Sequence, residues 1–180
     1  MIWEECFMKL KSKNILIAGD GSGVGKSHLA AELLKHLPGW SAVKLSVNRH
    51  ENNQCLVTAD LKDICIPGKD TMLFYASGAR PVVWIKTDKA QVESGVEKAR
   101  SLLSEAKGIV WEGNSLLDFI SWDFIIYVTD GRVADKESAQ KARAKADYIV
   151  NNSDKQQKKE DVWALLLKCA NFKNLFISQF

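Results

Sequence analysis

The chain is short of most of the signals that sort a protein into a special class. Its four cysteines, Cys6, Cys55, Cys65 and Cys169, are scattered and form no Cys-x-x-Cys pair. That absence speaks against a zinc site or a disulfide framework and favours reduced thiols in a cytoplasmic protein. No apolar run approaches the roughly 20 residues of a membrane span, so no membrane partner is expected. Residues 1–10 carry two glutamates and no long apolar core, so no signal peptide is expected there. Charge of one sign is not in excess either. The 25 Lys and Arg against 22 Asp and Glu leave a net charge of +3, too little to argue for nucleic acid as the main partner. No internal repeat, low-complexity tract or linker divides the 180 residues, so one domain, 1–180, is expected. The composition, 46% hydrophobic and 26% charged, is that of a globular protein with a sizeable core.

One stretch stands out from that plain background: Asp20-Gly21-Ser22-Gly23-Val24-Gly25-Lys26-Ser27. It follows the apolar run Ile15-Leu16-Ile17-Ala18 and leads into a helix-like segment ending near Leu37. A buried strand, a glycine-rich loop, then Gly-Lys-Ser opening a helix is the context of a phosphate-binding P-loop. Glycines let backbone N–H groups curl around phosphate oxygens, and the helix N-terminus adds donors and partial positive charge. Lys26 is expected on the β- and γ-phosphates and Ser27 on Mg²⁺. Gly21, Ser22, Gly23, Val24, Gly25 and His28 complete the expected nucleotide-contacting set. The pattern G-x-x-x-x-G-K-[ST] puts a glycine five positions before Gly25, where this chain has Asp20. An aspartate there is expected to point away from the phosphates.

Apolar runs alternate with helix-length amphipathic stretches throughout, the pattern of an α/β fold with a largely parallel sheet. Strands are predicted at 14–18, 42–47, 81–86, 108–111, 124–129, 148–151 and 174–177. Helices are predicted at 25–37, 70–77, 89–106, 136–144 and 155–169. Residues 48–69 form the least legible segment, a long irregular insertion of the kind that is often functional.

A P-loop needs a carboxylate beside the metal, at the end of a neighbouring buried strand. Glu112, after Ile109-Val110-Trp111 and before Gly113-Asn114-Ser115, is the first choice for that role and for orienting the attacking water. Asp60 and Asp130 are its rivals. Asn48, Arg49 and His50 follow a buried strand and could face a terminal phosphate or a second substrate, His50 as an acid–base group. Asp70 suits a helix N-cap, with Lys69 beside an anion-favouring helix start. Arg80 could bind phosphate or merely solvate a strand. Asn151, ending a predicted strand, could read a purine edge, because its amide both donates and accepts.

Five segments carry a family resemblance in chain order over residues 13–152: GSGVGKS, VKLSVNRH, PGKDTMLFYASGAR, IVWEGNS and KESAQKARAKADYIVNN. With them the chain resembles the molybdopterin-guanine dinucleotide biosynthesis protein B (MobB) family, among P-loop proteins that include dethiobiotin synthetase and MinD-like ATPases. The resemblance implies a three-layer P-loop NTPase fold with a mostly seven-stranded sheet. It implies a cytoplasmic protein that binds GTP or ATP with Mg²⁺, a hydrolase of low activity serving molybdenum cofactor biosynthesis. A transferase or a pterin substrate would be its partner, and a homodimer its assembly. Carried over by motif, Gly21, Ser22, Gly23, Val24, Gly25, Lys26 and Ser27 bind phosphates and Mg²⁺, and Glu112 is the metal-side acid. The run Asn48-Arg49-His50 and the Asn114-Ser115 that follow Glu-Gly depart from the family's usual residues. The residues leave two other functions open. One is a small-molecule kinase or ATP-dependent ligase like dethiobiotin synthetase, with an acceptor held by Lys69, Arg80 or His50. The other is a module that holds nucleotide without turnover.

Overall fold

Residues 15 to 18 are fully buried and alternate in direction: Ile15 and Ile17 face one hydrophobic cluster, Leu16 and Ala18 the other. A strand apolar on both faces belongs in the middle of a sheet covered on both sides. The computed structural model, which describes residues 12–47, 54–131, 136–153 and 162–177, bears this out. Strand β1 (Lys13–Gly19) sits between β5 (Gly108–Glu112) and β6 (Phe124–Thr129). With β2 (Ser41–Val47), β3 (Leu56–Thr58), β4 (Val82–Thr87) and β7 (Tyr148–Asn151), they form one seven-stranded sheet of order β3-β4-β2-β5-β1-β6-β7. Every pairing is parallel except that of β3 with β4.

Helices cover both faces, giving three layers. Ile15, Ile17, Val110, Ile126 and Val128 pack under α1 (Lys26–Lys35), α3 (Asp70–Ala76), α6 (Val162–Leu166) and α7 (Ala170–Ile177). The opposite face, with Leu16, Val43, Ile85, Trp111 and Tyr127, lies under α4 (Val92–Leu102) and α5 (Glu137–Ala144). In α4 the residues Val92, Val96 and Ala99 recur at helical spacing and are all buried. Among the described residues, no helix is long and apolar enough to cross a membrane.

Six of the seven predicted strands are present, with no end shifted by more than one residue. Residues 174–177 are not a strand: they lie in α7, where Phe172 and Leu175, three apart, are both buried. Short apolar runs cannot be told from buried helix by periodicity, and here helix packing prevails. The seventh strand is β3, inside the segment whose pattern was too polar to reveal it; the short helix α2 (Leu61–Ile64) follows it. The predicted helix 89–106 begins as a 3₁₀ turn, Lys89–Gln91, where Asp88 accepts from the Gln91 N–H at 3.0 Å. Of the predicted helix 155–169, residues 155–161 lie outside the described residues, and the rest ends at Leu166 before α7 starts.

This topology brings the carboxyl ends of β1, β2 and β5 together, and β1 runs straight into α1 through residues 20–25. In open parallel sheets that edge is where ligands bind.

Candidate functional site

The glycine loop is held from three sides. Asp20, only 7% exposed, turns its carboxylate onto β6: Oδ1 accepts from the Tyr127 hydroxyl at 2.7 Å. Oδ2 accepts from the Thr129 hydroxyl at 2.5 Å and the Asp130 N–H at 3.2 Å. Asp20 thus turns inward, away from the loop cavity, which it does not line, and its charge is satisfied by three donors. On the second side, the Asn114 side chain spans the end of β1: Oδ1 accepts from the Gly19 N–H at 2.9 Å and Nδ2 donates to the Gly19 carbonyl at 2.8 Å. On the third, Asn152 Nδ2 donates to the Val24 carbonyl at 2.6 Å. Gly25 forms the N-cap of α1 with φ at 103°, and a Cβ there would lie 2.3 Å from that same Asn152 nitrogen. Only glycine takes both the left-handed backbone and the close approach.

Gly21, Ser22, Gly23, Gly25, Lys26, Ser27 and His28 line an open cavity of about 620 Å³. Val24 does not line it; its side chain is 2% exposed and packs into the core, so it serves the loop through its backbone. The Lys26 ammonium donates to the Gly21 carbonyl. Burial lowers its pKa, Glu112 works against that, and Lys44 and Lys136 reinforce it.

Glu112 ends β5, is 2% exposed, and faces α1. Gly113, with φ at 148° and a would-be Cβ 3.0 Å from Leu45 Cβ, lets the chain turn off sharply after it. The Ser27 hydroxyl donates to Glu112 Oε2 at 2.9 Å. The parallel register of β2 and β5 sets Lys44 directly beside Glu112. The Lys44 ammonium donates to Glu112 Oε1 and Oε2 at 2.7 and 2.8 Å and contacts Asp70 Oδ2 at 2.6 Å. Burial alone would lower the Lys44 pKa, but Glu112 and Asp70 outweigh it and the net shift is upward. Burial works to raise Asp70, yet Lys44, with help from Ser27 and His28, holds it below the usual carboxylate range.

Sequence reasoning found the loop and Glu112 and missed Lys44 as a member of the site. The signal was present: a lysine in the middle of the apolar strand Ala42-Val43-Lys44-Leu45 needs a carboxylate partner. Asp70 is not the N-cap; Lys69 holds that position without a side-chain bond, and Asp70 turns to Lys44 instead. Asp60 caps α2 by accepting from the Lys62 N–H, and neither it nor Asp130 lines the cavity. Arg80 donates to the carbonyls of Tyr75 and Ala79, both at 2.6 Å, and stacks over the Tyr75 ring, away from the loop. Asn151 closes a local turn, its Oδ1 accepting from Ser153, and the residue that reaches the loop is its neighbour Asn152. Asn48, Arg49 and His50 lie outside the described residues. Lys136 and Ser138, at the start of α5, form a wall of the cavity that the sequence did not suggest.

The oxygen atoms of Ser27, Glu112 and Asp70 are hard donors of the kind Mg²⁺ takes, and a cation that keeps several waters and phosphate oxygens needs no more from the protein. Among the described residues, no group of three or more His, Cys, Asp or Glu forms a metal cage. The set therefore fits a cation brought in with a phosphate ligand better than one resident alone. Compared with protein-family models, curated proteins and solved structures, the chain finds no match.

Proposed function

We propose that this protein binds a nucleoside triphosphate with Mg²⁺ in the cavity over the glycine loop and hydrolyses it slowly, as a cytoplasmic accessory to molybdopterin guanine dinucleotide formation. One observation carries the nucleotide reading: Ser27, at the first turn of α1, is hydrogen-bonded at 2.9 Å to the buried carboxylate of Glu112, immediately beside Lys26 and a glycine loop. A loop alone is a turn. Joined to a buried carboxylate at the carboxyl ends of parallel strands, it has the parts phosphoryl chemistry needs.

In this reading the backbone N–H groups of residues 21–27 and the start of α1 bind the phosphates. Lys26 leaves the Gly21 carbonyl to meet them, while Ser27 and Glu112 hold the cation side. A bound Mg²⁺ would supply charge stabilisation on the phosphoryl oxygens. Glu112 orients water, directly or through the Ser27 hydroxyl. The motif resemblance in PGKDTMLFYASGAR and IVWEGNS supports the molybdenum cofactor role, with a transferase or a pterin as partner and GTP or ATP as the nucleotide. The cavity reaches past the loop to Ser46, Gly113, Asn114 and Ser115, space that also suits an acceptor molecule. That favours, as the second reading, a kinase or ligase like dethiobiotin synthetase.

A thermal-shift panel of GTP, ATP and their diphosphates with Mg²⁺, followed by phosphate release, tests the proposal. A ligand at about 100 times its Kd stabilises the folded state by about 2.7 kcal/mol, a readily measured rise in Tm. Glu112→Gln is expected to keep nucleotide binding and lower turnover at least tenfold. No shift with any triphosphate sinks the nucleotide reading. Phosphate transfer only when a metabolite acceptor is added selects the kinase reading.

A further inference from the structure

The ammonium of Lys44 has three N–H donors. Three carboxylate oxygens take them: Oε1 and Oε2 of Glu112 and Oδ2 of Asp70, at 2.7, 2.8 and 2.6 Å. Its side chain is 16% exposed, against 2% for Glu112. The Ser27 hydroxyl completes the ring by donating to Glu112 Oε2. The oxygens that suit a divalent cation are therefore already gathered around a positive charge that belongs to the chain. Lys26 does not take that place, since its ammonium is turned to the Gly21 carbonyl.

We propose that Lys44 is an internal counter-cation: it holds Glu112 and Asp70 in the nucleotide-free protein and yields them to a divalent cation that enters with the nucleoside triphosphate. The proposal rests on the phosphate-binding reading of the loop. Its logic is electrostatic. Glu112 is 2% exposed and its two carboxylate oxygens both lie against the Lys44 ammonium, so removing that cation without a replacement leaves a buried pair broken. A second cation cannot share the same three oxygens with the ammonium without strong like-charge repulsion. Lys44 must leave, and its flexible four-carbon stem ends in the cavity, where a triphosphate supplies the anion to receive it. Metal alone finds its oxygens taken, and triphosphate alone finds Lys44 committed. Binding of the two is thereby coupled, which is a coupling free energy between neighbouring sites.

The test uses Mn²⁺, an oxygen-seeking probe visible by electron paramagnetic resonance, titrated against the full chain without nucleotide. Wild type is expected to bind Mn²⁺ weakly. Lys44→Met and Lys44→Gln are each expected to bind it at least tenfold more tightly, and adding Asp70→Asn to either should remove most of that gain. Unchanged or weaker Mn²⁺ binding in both folded single variants overturns the proposal. Loss of the internal cation will strain the fold, so far-UV circular dichroism is followed in parallel. A variant that folds only with Mn²⁺ present supports the exchange, and failure of both to fold even with Mn²⁺ overturns it. A fluorescent triphosphate titrated against the wild type on the same day separates the two claims. No triphosphate binding removes the nucleotide reading, whereas the Mn²⁺ gain on replacing Lys44 stands or falls by itself.

Discussion

Asp20 occupies the position where the P-loop pattern has glycine, and its carboxylate is a structural pin that does not line the cavity. It joins the first residue of the loop to Tyr127 and Thr129 of β6. Asp20→Gly would restore the common pattern while leaving the Tyr127 hydroxyl buried without this acceptor. An orphaned buried polar group costs about 1–3 kcal/mol. Chemical denaturation is therefore expected to find Asp20→Gly less stable than wild type, and an equal or higher stability would show that the pin is dispensable. The phenol has its own signature. Burial, then the hydrogen bond and charge of Asp20, raise the Tyr127 pKa above its ordinary 10.0. The folded state thus holds this proton more tightly than the unfolded chain does. The stability it gives is complete below about pH 10 and drains away as pH rises beyond that. Tyr127→Phe is expected to lower stability at neutral pH yet flatten its alkaline decline, measured as denaturation midpoints from about pH 8 to 11.

At the scale of elements, the site is a junction of β1, β2, β5 and α1, and its parts differ in how legible they were. The loop and Glu112 were legible because each signal is local: a strand, its last residue and the glycine that lets the chain turn. That Lys44 takes Glu112 and Asp70 as its partners was not, because it depends on which strands pair. Nothing in residues 41–47 tells that they lie beside residues 109–112, and that register is what sets Lys44 on Glu112. The same holds for Asn152, which is far from Val24 in sequence and in hydrogen-bond contact in space. Gly25→Ala tests how the elements hold the loop. At φ 103° an L-residue is strained by about 1–2 kcal/mol, and its Cβ would strike the Asn152 amide. The sheet should fold as before by circular dichroism, with triphosphate affinity reduced at least tenfold. Retained affinity would mean that the loop rearranges freely and that the Asn152 contact does not shape it.

For the whole molecule, alternation of apolar strands with amphipathic helices was enough to fix an α/β architecture with a parallel sheet, and the count of seven strands came out right with one member exchanged. Residues 174–177 joined a helix packed on Phe124 through Phe172, while the edge position went to β3, whose three residues carry too little pattern to be seen. Edge strands are where sequence signals are weakest, because only one neighbour and part of one face constrain them. None of this touches the edge where the loop lies, which was placed by the central strands alone. The claim that this edge binds a nucleoside triphosphate is tested most directly by isothermal titration of Mg-GTP and Mg-ATP into wild type and Lys26→Ala. Wild type is expected to bind at least one of them saturably, one per chain. Lys26→Ala should bind at least tenfold more weakly, a loss of about 1.4 kcal/mol or more. No saturable binding by wild type, or equal affinity in the variant, would mean that this edge is not a nucleotide site.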